Sequence, residues 1–450
     1  MKVSVIGTGY VGLVSGVCLA ELGHRVVCVD IDHGKVDQIN RGVAPIYEPG
    51  LGDLLAKNIG KNFNASTNLQ SAVTDTDLSL ITVGTPYFGD KIDLTYVREV
   101  SQEIGSVLKD KNGYHVVVVK STVVPGTTDE VVLPILERAS GKKAGSDFGL
   151  GMNPEFLREG EAVADFMLPD RIVLGVIDEK SLKALEELYN CFPAVEKVRT
   201  NTKTAEMIKY TSNCLLATLI SFSNEIANLC SAMKSGVDVV DVMRAVHLDK
   251  RISPVMPAGE RVTPGITQFI EAGCGFGGSC FPKDVRALIS YGEERGQTMN
   301  LMKEVIRINE QQPDQILRMI GDLFSDLSQA RIGILGLAFK PGTDDIRESP
   351  ALPVMQKLMD KGAAIKAFDP VAAINAKRFF NDDRIAYCDS MEQAVDGTDV
   401  VVLMTRWDEF AKLPELLEKV TPQPIVIDGR RMLDKSRIDN YLGIGLGKLQ

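Results

Sequence analysis

Histidine and paired cysteine are what this chain has least of. Only four His occur in 450 residues, and the eight Cys, at 18, 28, 191, 214, 230, 274, 280 and 388, form no CxxC pair. A structural zinc site draws on clustered Cys and His, so no metal is expected. Most of the thiols lie in apolar runs and read as packing in a reducing compartment. Positive charge is also short: 50 Lys and Arg against 60 Asp and Glu leave a net charge of −10. A general nucleic-acid binder needs a basic face, so that class is excluded, although one nucleotide in a local basic pocket is not. Long hydrophobic runs are missing too. Charge or polarity interrupts every apolar stretch before the ~18 residues a membrane span needs, so no membrane partner is expected. No charged segment, apolar core and small-residue cleavage site of a secretory signal precedes the strand-like run 3–6. A cytoplasmic protein is the expectation.

What is present is an alternation. A chain of 450 residues is too long for one ordinary core, and two or three domains are expected. Up to about residue 200, Val- and Ile-rich runs at 3–6, 25–30, 78–83, 115–120 and 149–153 alternate with helical patterns. That order predicts βαβ units around a parallel sheet. From 203 to about 234 there is no Gly or Pro, which predicts one long helix, apolar enough for a dimer or domain interface. Residues 235–325 read as mainly helical, broken by a Pro- and Gly-rich loop at 249–278. Strand patterns return at 331–335, 364–368, 400–404 and 424–427. The opening of this last region echoes the first: strand, Gly336, helix, strand, Asp369. The fold class expected is α/β, with two Rossmann-like doubly wound parallel-sheet domains joined by a long central helix and a helical middle region.

Gly7-Thr8-Gly9-Tyr10-Val11-Gly12 directly follows a strand and opens a helix, and the second strand ends at Asp30. In this context each glycine has a task. Gly7 makes the tight turn, Gly9 lets backbone approach a pyrophosphate, and Gly12 lets helix and strand pack. The helix N-terminus faces the anion. Asp30 can accept from both ribose hydroxyls of an adenosine and repel a 2′-phosphate, which favours NAD over NADP, while the nearby Lys35 weakens that discrimination. The loops 83–86 and 121–126 also follow strands, and ligands bind at such ends.

Gly277-Gly278-Ser279-Cys280-Phe281-Pro282-Lys283-Asp284 is the most informative segment. Two glycines would allow a ligand close to backbone. A thiol beside a Lys and near a helix N-terminus gains thiolate character. On the long helix Glu206, Lys209 and Asn213 form one stripe. An ammonium and an amide there can hold a developing oxyanion. Residues 153–160, with Glu155, Arg158 and Glu159, follow another strand end.

Together these segments resemble the UDP-glucose/GDP-mannose dehydrogenase family, nearly end to end. The resemblance rests on GTGYVG at 7–12, STVVPGT at 121–127, NPEFLREG at 153–160 and AEMIKYTSN at 205–213. It continues with GFGGSCFPKD at 275–284, FKPGTDDIRES at 339–349 and DGRR at 428–431. Ser279-Cys280-Phe281 and Phe156-Leu157-Arg158 look like the UDP-glucose branch. The family reaction is a four-electron, NAD-dependent oxidation of a nucleotide sugar at C6 through a thiohemiacetal and a thioester on a Cys. The resemblance implies Cys280 as nucleophile, Lys209 and Asn213 as oxyanion stabilisers, Asp284 and Thr122 as water-activating groups, and Glu155 as general base or acid. It implies cofactor contacts from the glycine turn including Tyr10 and Val11, and from Asp30, Lys35, Thr85, Thr122, Glu159, Lys283 and Arg347. It implies substrate contacts from Phe156, Leu157, Arg158, Lys209, Asn213, Arg251, Phe276, Gly277, Phe339, Lys340 and Arg430. It also implies three parts: an NAD-binding domain at 1–200, a central dimerisation and catalytic region at 201–325, and a nucleotide-sugar domain at 326–450. A homodimer or higher homo-oligomer is expected.

The chain departs from the family pattern once. An Arg is usual 16 positions before the Cys, reaching the neighbouring subunit's sugar; here that position is Pro264. Arg251 stands in a matching context but lies 29 before Cys280, so about 13 residues are inserted within 252–265. Either Arg251 or Arg261 can serve. Other readings are the same chemistry on TDP-glucose, GDP-mannose or a UDP-acetamidosugar, a two-electron β-hydroxyacid-type dehydrogenase, and a non-enzymatic NAD sensor. The last two need no Cys-Lys-Asp cluster.

Overall fold

The computed structural model describes residues 1–88, 91–233 and 236–447. The chain forms two compact units, Met1–Ser212 and Asn213–Gln450, with the boundary inside one continuous helix, Thr202–Ala232.

The first unit is built on an eight-stranded sheet. Its strands are β1 (Lys2–Ile6), β2 (Arg25–Val29), β3 (Phe63–Ser66) and β4 (Leu78–Ile81). After a two-stranded ribbon, β5 (Tyr87–Phe88) and β6 (Lys91–Ile92), come β7 (Val116–Val119), β8 (Gly149–Met152), β9 (Arg171–Val176) and β10 (Glu196–Thr200). The order across the sheet is β10-β9-β8-β7-β4-β1-β2-β3. Central strands such as β7, four valines in a row, are buried throughout because helices cover both faces. The edge strands β3 and β10 carry polar residues, as sheet edges do, and the hydrophobic pattern therefore does not reveal them.

The sheet is not wholly parallel. β8 and β9 pair antiparallel, Gly151 opposite Val176 and Met152 opposite Gly175. An antiparallel neighbour needs no crossover to the far end of the sheet. The connection 153–170, which carries Glu155 through Gly160, therefore leaves and re-enters at one end, the carboxyl end of β8.

The second unit holds a six-stranded parallel sheet. β11 (Arg331–Leu335), β12 (Ala364–Phe368), β13 (Ile385–Tyr387), β14 (Val400–Leu403), β15 (Ile425–Asp428) and β16 (Tyr441–Gly443) lie in the order β13-β12-β11-β14-β15-β16. The order reverses between β11 and β14, where ligands bind in such sheets. The order that echoes the first unit, strand, Gly336, helix, strand, Asp369, is present, but the helix begins only at Ala351 and not at the glycine, with Pro341 in the intervening segment. Asp369 accepts from the Leu337 and Ala338 N–H groups at 2.7 and 3.0 Å and from the Trp407 ring N–H at 3.2 Å. It braces the loop of its own chain.

The long helix, expected over 203–234, spans Thr202–Ala232; its expected last residue, Lys234, lies outside the described residues. By length and mean hydropathy, 1.2 over its most apolar stretch, it is long and apolar enough to cross a membrane. That differs from the sequence expectation. Its buried face, however, is polar at Ser221 and Asn224. Ser221 donates to the Val305 carbonyl at 2.9 Å, and Asn224 accepts from the Gly273 N–H at 2.8 Å. This is the packing of a core helix, whose apolar side chains serve neighbouring elements.

Candidate active site

In the first unit Gly7 adopts φ +106° after β1, and its N–H bonds the Val29 carbonyl at 2.7 Å. A Cβ on Gly12 would lie 1.9 Å from the Gly7 carbonyl, whereas one on Gly9 would meet nothing within 4 Å. Gly12 is thus fixed by packing, and Gly9 leaves the turn open to a ligand. The helix Tyr10–Glu21 begins there with free N–H groups, which suits a pyrophosphate. Asp30 accepts from the Thr8 N–H at 2.9 Å and the Thr8 hydroxyl at 2.5 Å, and from the Asp32 N–H at 3.0 Å. Burial works to raise its carboxyl, but these donors and Lys35 hold it below the usual range. Oδ2 takes both Thr8 donors, and Oδ1, with one donor, keeps a lone pair for a ribose hydroxyl. Glycine turn, helix end and ionised Asp30 fit NAD.

Tyr10 donates its hydroxyl to Glu48, which nothing in the sequence singled out. Glu48 is buried and accepts the Gly160 and Ala162 N–H groups at 2.7 and 2.8 Å. The side chain of Tyr10 therefore secures the loop at 153–162, while Val11 and Gly12 continue the helix. Thr85 donates to the Thr122 carbonyl at 2.7 Å and stitches the loops after β4 and β7 together. Lys35 is exposed beside Asp30, and Glu159 is half-buried in the 153–160 loop.

A charged cluster lies buried at the ends of β7 and β8. Lys209 Nζ is 2.9 Å from Glu155 Oε1. Lys120, the residue after β7, donates to Asn153 Oδ1 at 2.9 Å. Burial drives Lys120 down to about 8, opposed by Glu155 and assisted by Lys209. Burial acts to raise Glu155, but the charge and hydrogen bond of Lys209, the Leu157 N–H and Lys120 hold it low. Glu155 is thus a carboxylate between two cations. Phe156 is flanked by Arg171, 3.9 Å above its ring, and by Lys209 at 5.5 Å. Leu157 is half-buried, and Arg158 is paired at 2.6 Å with both Glu161 and Asp165.

Glu206 does not join this cluster. It accepts from the Gly126 and Thr128 N–H groups at 2.5 and 2.8 Å and the Thr128 hydroxyl at 2.7 Å. It caps the turn after the 121–126 loop. Burial lifts it to about 7 in spite of these donors.

In the second unit Cys280 is the residue that begins the helix Phe281–Glu293. Asn213 donates to Asp284 Oδ2 at 2.6 Å, and Lys283 approaches Asp284 Oδ1 at 2.5 Å. Asp284 is buried, one turn beyond Cys280. The structure thus joins Asn213, Lys283 and Asp284. Lys283 is ion-paired with Asp284, and Cys280 stands at the N-terminus of the helix. A Cβ on Gly277 would lie 2.1 Å from the Glu348 carbonyl, and one on Gly278 would lie 2.7 Å from the Phe339 ring. Packing within the chain thus requires glycine at both positions.

Phe339 and Lys340 stand together, Lys340 Nζ 5.9 Å from the ring centroid. Arg430 donates to the Met404 and Gly275 carbonyls at 2.7 and 2.9 Å. Phe276 is buried against Phe281, with ring centroids 5.9 Å apart. Arg347 pairs with Asp345 at 2.6 Å. Of the two candidates beside the inserted residues, Arg251 is exposed and paired with Asp249 at 2.5 Å. Arg261 donates to the Leu248 and Ser253 carbonyls at 2.7 and 2.8 Å. The inserted residues turn back on themselves: Val262 N–H bonds the Pro254 carbonyl at 3.0 Å, and Met256 N–H bonds the Glu260 carbonyl at 2.8 Å. None of the eight cysteines is in a disulfide, and among the described residues no group of three His, Cys, Asp or Glu could hold a metal.

Three sequence profiles match the chain, all described as UDP-glucose/GDP-mannose dehydrogenase family. The NAD binding domain covers 1–193, the central domain 203–311 and the UDP binding domain 333–435. A UDP-glucose 6-dehydrogenase of Haloferax volcanii is 42% identical, over 97% of this chain and 98% of that protein. Another, of Bacillus subtilis, is 41% identical over 99% of this chain and 93% of that protein. A solved UDP-glucose dehydrogenase of Pyrobaculum islandicum superposes with a TM-score of 0.88 at 37% identity, over 99% of this chain and 97% of that one.

Proposed function

This chain belongs to the UDP-glucose/GDP-mannose dehydrogenase family of NAD-dependent oxidoreductases, and we propose that it oxidises the C6 hydroxyl of UDP-glucose to the carboxylate of UDP-glucuronate. The observation that carries the reading is the cluster at the start of the helix Phe281–Glu293. There Cys280 sits at the N-terminus and Asp284, held by Asn213, follows one turn on. NAD, when bound at the first glycine turn, accepts one hydride in each of two oxidations. The remaining work falls to the chain.

Cys280 captures the C6 aldehyde as a thiohemiacetal, which keeps a hydrogen on C6 for the second oxidation. The product is a thioester, and water releases the acid. Lys209 and Asn213 stabilise oxygen charge as it develops. Asp284 and Thr122 orient water. Glu155, kept ionised by its cations, takes a proton from that water. On this reading residues 1–200 bind NAD, 201–325 supply dimer contacts and catalysis, and 326–450 hold the nucleotide end. Lys340, Phe339 and Arg430 face the phosphate or sugar after small side-chain movements. The relatives named for UDP-glucose support this substrate over TDP-glucose, GDP-mannose and a UDP-acetamidosugar.

The long helix supports a homodimer. Leu215, Phe222 and Leu229 are 51%, 48% and 61% exposed and recur every seven residues, an apolar stripe that a second copy can cover. A cytoplasmic enzyme supplying an activated uronic acid for polysaccharide building fits this chemistry. The test is stoichiometry. Purified protein with a limiting nucleotide sugar, tried in turn from the four, should yield two NADH per UDP-glucose. Cys280→Ser should lose steady-state turnover while still binding both ligands. One NADH with free aldehyde, or normal turnover in Cys280→Ser, defeats the thioester route.

A further inference from the structure

Residues 272–278 are buried but belong to no helix or strand. Buried peptide groups need partners, and here side-chain amides supply them. Asn224 accepts the Gly273 N–H at 2.8 Å, and Gln312 donates to the Gly273 carbonyl at 2.9 Å. Asn309 makes a reciprocal pair with one residue: it accepts the Phe276 N–H at 2.7 Å and donates to the Phe276 carbonyl at 2.9 Å. One amide thus replaces a neighbouring strand. Gln312 is itself fixed by Asn228 at 3.1 Å. Gly275 leaves the space this amide uses, since a Cβ there would come within 2.9 Å of the Asn309 oxygen.

We infer that Asn309, aided by Asn224 and Gln312, is a positioning residue that sets the placement of Cys280 by holding the backbone of 273–276. The inference rests on the role of Cys280 proposed above. Four residues beyond Phe276 the chain reaches Cys280 and its helix. Between Phe276 and the thiol the chain has one backbone tether, Gly278 N–H to the Arg347 carbonyl at 2.8 Å, so the Asn309 pair and that bond together fix the approach to Cys280. The chemistry at position 309 is restrictive. The group must donate and accept at once. A carboxylate only accepts and would face the Phe276 carbonyl with like charge. A neutral carboxylic acid does both and mimics the amide. The charged groups nearby are Arg430, bonded to the Gly275 carbonyl, and Arg286, paired with Glu310 at 2.9 Å and Glu348 at 3.8 Å.

The test uses the full-length protein with Asn309→Asp and Asn309→Ala, assayed well below their unfolding midpoints. Two readouts are taken across pH: kcat, and the rate at which iodoacetamide alkylates Cys280, followed by peptide mass spectrometry. Asn309→Ala should lose about tenfold to a hundredfold in kcat at every pH, the scale of a small misplacement of a reacting group, with the KM for NAD unchanged. Asn309→Asp should match that loss at alkaline pH and recover toward wild type as the introduced acid becomes neutral. Its alkylation rate, relative to wild type, should return in parallel. A ratio to wild type that stays flat with pH in Asn309→Asp, or native kcat and alkylation in Asn309→Ala, overturns the inference. Should Asn309→Ala not fold, the pH course of Asn309→Asp decides alone. Alkylation reports where the thiol stands whether or not it is the nucleophile. Turnover in Cys280→Ser would therefore sink the thioester route and leave these arms readable.

Discussion

Lys209 and Glu155 form an ion pair of 2.9 Å with side chains only 4% and 6% exposed, and Lys120 is the second cation of the cluster. So enclosed a pair is costly to break from one side.

Lys209→Ala should leave a buried carboxylate short of a partner and destabilise the protein by about 3–5 kcal/mol. Glu155→Gln should destabilise less, because the amide keeps the shape and can still accept the Leu157 N–H. The folded Glu155 carboxyl lies below its ordinary value, so its stabilising charge is fully present above the unfolded pKa, about 4.3. That contribution is lost as pH falls through the lower folded value. Thermal melts between neutrality and pH 3 should therefore show a shallower acid limb in Glu155→Gln. An acid limb equally steep in both proteins would deny Glu155 this role.

Glu206 titrates with the opposite sign. Burial raises it from 4.5 to about 7. Between those values the folded state binds more protons than the unfolded one, so stability falls as pH rises through that window. Glu206→Gln removes the titration. Its unfolding midpoint should change less between pH 4.5 and pH 7 than that of wild type. A wild-type midpoint that rises across the same window from this group would reverse the assignment.

The sequence made some of this visible and hid the rest for definable reasons. The turn at 7–12 was readable because Gly7 and Gly12 are demanded by backbone geometry that only glycine meets. Cys280, Asp284 and Asn213 were readable as residue types with a shared chemistry, and Asn213 and Asp284 do meet. Lys120 was missed, although a Lys directly after four buried valines is itself a signal. Glu48 lies in a turn-like Tyr-Glu-Pro-Gly context that reads as solvated. Only the fold brings it under Tyr10 and Gly160. Asn309 sits on an ordinary amphipathic helix and Gln312 is the cap that ends it, and nothing in the spacing reveals that their partner is a loop. The packing that demands glycine at 277 and 278 is invisible in the spacing, because the crowding atoms come from Glu348 and Phe339, far along the chain.

Asp30 is the residue to which the choice of cofactor is assigned on the proposed reading. Its carboxylate is held ionised at the end of β2, where a 2′-phosphate would meet like charge. Asp30→Ala should raise the KM for NAD and lower the ratio of NAD to NADP efficiency. The same change removes the acceptor of the Thr8 N–H and hydroxyl, so the glycine turn loosens and both cofactors bind less well in absolute terms. The ratio of kcat/KM values is therefore the quantity to measure. A wild type that uses both cofactors equally would transfer control to Lys35.

The inserted residues give the last prediction. Arg261 spends its guanidinium on the Leu248 and Ser253 carbonyls, which ties the two ends of the insertion together. The residues between pair across Val255 and Arg261 and point into solvent. Loop length by itself costs little, and a hairpin that closes on itself need not disturb what precedes it. Arg251, just before the hairpin, is 89% exposed in its side chain, and its one ion pair, to Asp249, is a surface pair worth little. On the proposed homodimer it is the arginine assigned to the nucleotide sugar of the second copy. Arg251→Ala should raise the KM for the sugar nucleotide by about tenfold or more, the loss of one charged hydrogen-bonding group, and leave NAD affinity unchanged. Arg261→Ala should change KM little and show itself as faster proteolysis within 252–262. The reverse ranking would place the hairpin against the sugar, and would then favour a hexose other than glucose as the substrate.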